Sequence, residues 1–367
     1  MVFLIFYDIL ECYFYTIHMN EQTKKELTMN KLTKIGVSAL CGSLASVAAA
    51  NAGSLEVTGG ATATWANNET ETTGNPIGLS SGMTFTGTGE LDNGTTFTLT
   101  LTNTDQAAYS AGNIAIVTPS LGTFTIDQGG GGTGIDRYDD MMPTAWEETT
   151  GTGTGTGLQT AGGIGSSANI DWKLPADMLP DGMGVALAYT PRAQGLGAND
   201  KATKGSASEQ LGSGMDLAVE HTGLADGLKV FAGYSNIEGH GTAIADAEQI
   251  ILGATYAVGM VTVGYQYSLD EKNGTHATTN YYENQAYGIS FAVNDDLAVS
   301  YGEHRSDRSV HTAATADVEN SAKSLQLSYT MGGMSIKIAE TSVDNGNYVS
   351  GTSKDIDGTT VALSLAF

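Results

Sequence analysis

The sequence predicts an all-β protein, a 16-stranded antiparallel transmembrane β-barrel, from three observations. From Gly53 onward, short segments carry apolar residues at every second position, as expected for strands with one apolar and one polar face. The connections between these segments alternate between short turns and longer polar loops. Aromatic residues recur near both ends of the segments. These three features together are typical of outer-membrane barrels.

The strands can be placed one by one from this alternation. They are predicted at residues 54–66, 77–90, 95–104, 112–118, 122–128, 168–173, 183–190, 214–222, 228–235, 248–257, 260–270, 282–293, 297–305, 321–330, 334–344 and 359–367. Short connections carry turn residues, as in Asp92-Asn93-Gly94 and Asp226-Gly227. All six Pro residues lie in connections, where a missing N–H breaks no ladder hydrogen bond.

Two aromatic belts follow from this assignment if the first strand starts on the periplasmic side. The outer belt contains Trp65, Tyr189, Tyr234, Tyr267 and Tyr301, and the inner belt contains Trp172, Tyr256, Phe291, Tyr329 and Phe367. Such belts mark the two membrane interfaces, and a closed barrel pairs all backbone groups in lipid. A soluble all-β protein would explain the alternation and the turns equally well, but not the belts.

Residues 29–52 are predicted to be a secretory signal peptide. A short basic stretch at 29–34 is followed by an Ala-rich apolar run at 35–49, and Ala50-Asn51-Ala52 provides an A-x-A cleavage site. The expected mature N-terminus is Gly53. The alternative interpretation of the Ala-rich run is a short core helix. Residues 1–28 are interpreted as an upstream extension from a misassigned start codon. The alternative, an N-terminal anchor over residues 2–17, is opposed by Asp8 and Glu11 within it.

Composition excludes several classes of protein. The chain has 16 basic and 40 acidic residues, a net charge of −24, so a nucleic-acid partner is not expected. Its two cysteines, Cys12 and Cys41, both precede the predicted cleavage site. Residues 53–367 therefore cannot form a disulfide scaffold, a thiol enzyme site or a zinc–thiolate site.

Local motifs resemble those of Gram-negative general porins, most closely the alphaproteobacterial type. They are the first-strand opening Gly53–Gly60, the hairpin Gly89–Gly94 and the strand start Ser120–Phe124. The terminal Phe367, preceded by alternating apolar residues, resembles the signal read by the outer-membrane assembly machinery. The resemblance covers residues 53–367. It implies a homotrimer in the outer membrane, in contact with lipid and lipopolysaccharide, whose third outer loop folds inward and narrows the pore.

The longest connection, between Gln128 and Ala168, is the candidate for that loop. It opens with four glycines, Gly129–Gly132, which suit a sharp turn. Its five acids are predicted to form the acidic side of the constriction: Asp136, Asp139, Asp140, Glu147 and Glu148. A solvated acidic loop is the alternative. Asp136, Asp139 and Asp140 are also candidate Ca²⁺ ligands, since calcium prefers oxygen donors, and no other cofactor is expected.

Charges on the barrel wall are predicted from strand parity. No Lys or Arg occurs between Gly53 and Asp136. The predicted lumen-facing acids are Glu56, Asp127, Asp171, Asp216 and Glu220, and the only predicted lumen-facing bases are Lys173, Lys229 and Lys337. General porins commonly set a basic cluster on the wall against the acidic loop, and this sequence departs from that pattern. A net negative pore with a weak transverse field is therefore expected.

The function expected from these features is passive diffusion of small hydrophilic solutes and ions, with a preference for cations. A surface protein that uses its Thr- and Gly-rich loops for adhesion or display is one alternative. An outer-membrane enzyme is the other, but no Ser/His/Asp or paired-carboxylate arrangement is evident at the expected barrel mouth, and no catalytic residue is assigned.

Overall fold

The computed structural model describes residues 53–68, 75–105, 111–152, 155–193, 211–239, 246–272, 279–311 and 316–366. The predicted signal peptide, the upstream extension and Phe367 lie outside these residues. Within the described ranges, no helix has the length and apolarity needed to cross a lipid bilayer.

Sixteen antiparallel strands form a closed barrel. They are β1 Leu55–Asn68, β2 Ile77–Glu90, β3 Thr96–Thr104, β4 Ala111–Thr118, β5 Gly122–Gln128, β6 Ala168–Lys173, β7 Met183–Thr190, β8 Leu211–His221, β9 Leu228–Gly239, β10 Ala247–Val258, β11 Val261–Glu271, β12 Thr279–Ala292, β13 Leu297–Val310, β14 Val318–Met331, β15 Met334–Asp344 and β16 Ile356–Ala366. Each strand pairs with its neighbours in the chain, and β16 closes the barrel on β1, with Gly60 opposite Ala366. The predicted fold class is confirmed.

Several strands run further toward the long loops than the sequence predicted. β13 was expected to end at residue 305 but continues to Val310, and β14 starts at Val318 rather than at residue 321. In this extension Arg308 pairs with Val318, beyond the last apolar alternation. Backbone pairing does not require apolar side chains. The hydrogen-bonded ladder therefore continues beyond the apolar part of the strands, where the apolar–polar alternation used to predict them has ended.

The two faces of the strands differ as expected for a barrel in lipid. One face carries exposed apolar side chains, such as Leu79 on β2 and Leu325 on β14. The other face carries buried polar ones, such as Gln266 on β11 and Asn284 on β12. Predicted belt residues with large exposed surfaces are Trp65, Tyr189, Tyr234, Tyr301, Tyr256, Phe291 and Tyr329. The apolar face is the lipid-facing one, and we call the opposite face the lumenal face.

Candidate functional site

The segment 129–167 between β5 and β6 is here called the long loop, and its described residues, 129–152 and 155–167, pack on the lumenal face in part through an apolar cluster. Its short 3-10 helix, Gly134–Tyr138, buries Ile135 and Tyr138. These two side chains belong to one apolar cluster with buried side chains of β7 to β10: Ala186, Ala218, Phe231 and Ile251. The ring of Tyr138 stacks on Phe231, with centroids 4.9 Å apart. The start of the loop is thus held in part by a small apolar core on a face where many of the buried residues are polar.

Three carboxylates of the barrel wall hold the backbone of this loop. Asp127 Oδ2 accepts hydrogen bonds from the N–H groups of Gly129 and Gly130 at 2.6 and 2.7 Å. Asp216 Oδ2 accepts them from Ile135 and Ile164 at 2.9 and 3.2 Å. Each wall carboxylate therefore fastens the point where the loop leaves or approaches the strands.

Asp171 on β6 acts in the same way and also forms an ion pair. Its Oδ1 accepts a hydrogen bond from the N–H of Gly134 at 3.0 Å and pairs with the guanidinium of Arg137. Asp127, Asp171 and Asp216 are all buried. The sequence predicted these three as lumen-facing charges of the pore. They lie on that face, but the loop covers them, so they anchor the loop instead of facing the solution.

The next part of the loop crosses a row of glycines on the lumenal face. Gly264 on β11 is directly opposite Gly288 on β12, and Gly288 is directly opposite Gly302 on β13. A Cβ at Gly288 would lie 2.8 Å from the carbonyl oxygen of Pro143, and one at Gly264 would lie 2.6 Å from Pro143 Cδ. Real Cβ atoms do not approach other atoms so closely, so the loop needs glycine here.

Polar side chains of β13 to β15 hold the acidic part of the loop. Ser300 Oγ accepts a hydrogen bond from the N–H of Ala145 at 2.8 Å. Gln326 Oε1 accepts hydrogen bonds from the N–H groups of Trp146 and Glu147, both at 3.1 Å. The return of the loop is held by Thr152 and Thr341, whose hydroxyls are 2.6 Å apart, and by Asn320, which donates to Thr156 O at 2.8 Å.

The five predicted constriction acids all lie on the long loop, but their side chains differ in exposure. Asp140 and Glu147 are exposed, whereas Asp136, Asp139 and Glu148 are partly covered. Desolvation, followed by the charges of Asp136 and Asp140, raises the pKa of Asp139 to about 7. Desolvation, followed by a hydrogen bond to Asp140 and its charge, raises the pKa of Glu148 to about 9. At neutral pH, part of the acidic cluster is therefore protonated.

One carboxylate oxygen of Asp136 holds the backbone of the loop. This atom, Oδ2, accepts a hydrogen bond from the N–H of Gly132 at 2.7 Å. Burial raises its pKa, and the hydrogen bond from Gly132 opposes that shift. Among the described residues, no group of three or more His, Cys, Asp or Glu side chains is arranged to hold a metal ion. Calcium binding by Asp136, Asp139 and Asp140 stays a prediction without support from this geometry.

The remaining predicted wall charges are spread along the barrel. Glu220 on β8 and Lys229 on β9 form an ion pair at 3.0 Å, so they largely offset each other. Glu56 and Lys173 are exposed, and Lys337 is half-buried.

The prediction of three lumen-facing bases was incomplete. Arg308 on β13 shares the lumenal face with Ser306, and both contact Tyr348 from the connection between β15 and β16. The sequence missed Arg308 because the predicted strand ended at residue 305.

The residues that hold the loop were also missed, although some left a signal. Phe231 and Ile251 place large apolar side chains at positions where the alternation calls for polar ones. Such a break in the polar face marks a place where something other than water covers the wall. Gln326 gave no signal, because a Gln on the polar face of a strand is unremarkable.

Comparison with known proteins agrees with this architecture. The family described as Gram-negative porin matches residues 36–367. The OmpF complex with daunomycin from Salmonella typhi superposes with a TM-score of 0.62 at 15% identity, covering 85% of this chain and 97% of that chain. The anion-selective porin from Comamonas acidovorans gives 0.60 at 15% identity, covering 86% and 100%. The trimer form of OmpT from Vibrio cholerae gives 0.59 at 12% identity, covering 86% and 100%. A comparison with curated protein sequences finds no match.

Proposed function

The chain belongs to the Gram-negative porin family and is an outer-membrane channel protein, and we propose that its pore prefers cations and passes small hydrophilic solutes by passive diffusion. We further propose that the long loop lies within the lumen and forms the narrowest part of the pore. Residues on both arms of this loop contact lumenal side chains from β5 round to β15, which supports that position.

The observation that carries the cation preference is the placement of the acids. Asp140 and Glu147 are exposed on a loop whose backbone is fastened to the lumenal face. The strands β1 to β5 contain no Lys or Arg that could offset them. Fixed carboxylates in a narrow, low-dielectric passage raise the local cation concentration and lower that of anions. The acids of the loop and the absence of bases from β1 to β5 therefore both favour cations over anions.

The assembly that we propose is a homotrimer in contact with outer-membrane lipid and lipopolysaccharide. The exposed apolar face and its aromatic belts fit a lipid environment. A trimer form of a structural neighbour, OmpT, supports the oligomeric state by analogy of fold.

Planar-bilayer recording tests the proposal against its alternatives. The purified protein should give discrete conductance steps, and in a KCl gradient the reversal potential should have the sign of cation selectivity. An adhesive surface barrel or an outer-membrane enzyme has no need of stepwise conductance, so its absence would favour those classes. Stepwise conductance with an anion-selective reversal potential would support the channel function but contradict the proposal that the loop acids make the pore prefer cations.

A further inference from the structure

We infer that Gln326, on the lumenal face of β14, is the residue that positions Glu147 in the pore. The inference rests on the proposed function, in which Glu147 is one of the two exposed acids of the constriction. Gln326 would not touch the permeating ion. It would act by holding the backbone that carries the carboxylate, 179 positions away in the sequence.

The contacts of Gln326 engage both ends of its amide group. Oε1 accepts hydrogen bonds from the N–H groups of Trp146 and Glu147, each at 3.1 Å. Nε2 donates to the carbonyl oxygen of Glu147 at 2.7 Å and to Ser324 Oγ at 2.8 Å. A backbone N–H only donates and a carbonyl oxygen only accepts, so these partners fix the orientation of the amide. Gln326 therefore forms hydrogen bonds with both the backbone N–H and the backbone C=O of Glu147.

These hydrogen bonds hold the backbone of Glu147 but leave its side chain free of the wall. Gln326 is 2% exposed, whereas Glu147 is exposed. The backbone is thus fixed against the wall while the carboxylate remains in contact with the solution. A charge fixed in this way acts on every passing ion from one place, whereas a charge on a loose loop would spread over a larger volume and act less strongly.

The hydrogen-bonding groups around residue 326 explain why a glutamine suits this position. An ionised carboxylate there could accept from the two N–H groups but could not donate to Glu147 O, and it would add a negative charge beside the acids of the loop. A methionine has a similar volume but would leave three backbone groups of Trp146 and Glu147 without their protein partners. Neither residue offers the donor and acceptor pair that this backbone requires.

Gln249 provides a matched control on the same face. It is a buried glutamine on β10 whose Oε1 accepts a hydrogen bond from Gly163 N at 2.7 Å, on the returning arm of the loop. This arm carries none of the five acids. Gln249→Met therefore removes a loop contact of the same kind without touching the backbone of Glu147.

The experiment measures how firmly position 147 is held. A nitroxide label is attached to Glu147→Cys in the full chain with Cys12→Ser and Cys41→Ser, and its spectrum is compared in three backgrounds. We expect an immobilised label with native Gln326 and with Gln249→Met, and a several-fold shorter correlation time with Gln326→Met. Heat-modifiable migration in gels verifies that each barrel is folded. Equal mobility in the three backgrounds would overturn the inference.

A second variant keeps the test decisive if Gln326→Met does not fold. The carboxyl group introduced by Gln326→Glu has one donor and one acceptor when protonated, so we expect an immobilised label at low pH. After ionisation a carboxylate oxygen would face the carbonyl oxygen of Glu147 with no proton between them, and we expect their repulsion to release the backbone and make the label mobile. A label that stays immobile at all pH values would contradict the inference. The label reports on position whether or not the pore is selective, so a failure of the cation preference, seen as a zero reversal potential in the native protein, is a separate result.

Discussion

The rings of Tyr138 and Phe231 are stacked 4.9 Å apart with their planes inclined by 29°. Tyr138 is 1% exposed and Phe231 is 3% exposed, although Phe231 lies on the lumenal face of β9. At its start, the long loop is held both by this apolar contact and by hydrogen bonds to the wall carboxylates Asp127, Asp171 and Asp216. This arrangement allows the attachment of the loop to be weakened without breaking a strand of the barrel.

Phe231→Ala should loosen the start of the loop while the barrel remains folded. Truncating a buried Phe costs about 3–5 kcal/mol, and here the loss falls on the contact between wall and loop. Arg137 is the only Lys or Arg between Gly53 and Lys173, so tryptic cleavage after Arg137 reports directly on the exposure of this segment. We expect faster cleavage there. The control is Phe124→Ala, which removes an aromatic stack with Trp172. Equal cleavage in both variants would contradict the role of Phe231.

Gly288→Ala should displace the loop from the wall. The added methyl group would lie 2.8 Å from the carbonyl oxygen of Pro143, and overpacking of this kind costs about 1–3 kcal/mol. We expect the loop to shift toward the pore axis and the single-channel conductance to fall. Gly82→Ala is the matched control, since the nearest atom to its added Cβ is 3.6 Å away. A normal conductance in Gly288→Ala would show that the loop does not limit the pore.

The barrel could be predicted from the sequence because its pattern repeats. Sixteen strands with one apolar face produce the same alternation each time, and only the ends were misplaced, as at Val310 of β13. Apart from the closure of β16 on β1, each strand pairs with the strands before and after it in the chain, so the pairing followed from strand order whatever the length of the connections.

The attachment of the loop could not be predicted in the same way. The contact between Gln326 and Glu147 joins residues far apart in the chain and follows no period. Strand parity placed Asp216 on the correct face, but parity cannot tell whether water or the loop covers a side chain. The exposure that decides whether an acid is an anchor or a pore charge therefore comes only from the tertiary structure.

The five loop acids should contribute unequally to selectivity at neutral pH. The pair Asp140→Asn and Glu147→Gln removes the two exposed carboxylates, and we expect it to reduce the reversal potential in a KCl gradient strongly. Glu148→Gln alone should change little at pH 7, because the pKa of Glu148 is raised to about 9 and its carboxyl is mostly neutral. A large loss of selectivity from Glu148→Gln alone would contradict this assignment.

Asp140 and Glu148 should also show a non-additive effect. The hydrogen bond to Asp140 and its charge help to raise the pKa of Glu148. Asp140→Asn removes the charge, so Glu148 should ionise more readily and partly replace the lost carboxylate. We therefore expect the double variant Asp140→Asn, Glu148→Gln to lose more selectivity than the sum of the two single variants. Strict additivity of the reversal potentials would show that Asp140 does not influence the ionisation of Glu148.

The cation preference should rise with pH in a step near pH 7. The pKa of Asp139 is raised to about 7, first by desolvation and then by the charges of Asp136 and Asp140. Below pH 7 its carboxyl is therefore neutral, and above pH 7 it adds a negative charge to the loop. The sign for stability is the opposite: the pKa is higher in the folded state, so ionisation weakens the packing of the loop as pH rises.

The measurement is the reversal potential at low salt between pH 5.5 and 8.5, in the native protein and in Asp139→Asn. Asp139→Asn should remove the step near pH 7 and leave the rise that belongs to Glu148, moved somewhat below pH 9 because the charge of Asp139 helps to raise the pKa of Glu148. Both effects should shrink at high salt, because the Debye length falls from about 10 Å at 0.1 M to about 3 Å at 1 M. A step that persists in Asp139→Asn would assign the titration to another group. A step that persists undiminished at 1 M KCl would show that it arises from a pH-dependent change in the shape of the pore, because salt would screen a fixed charge.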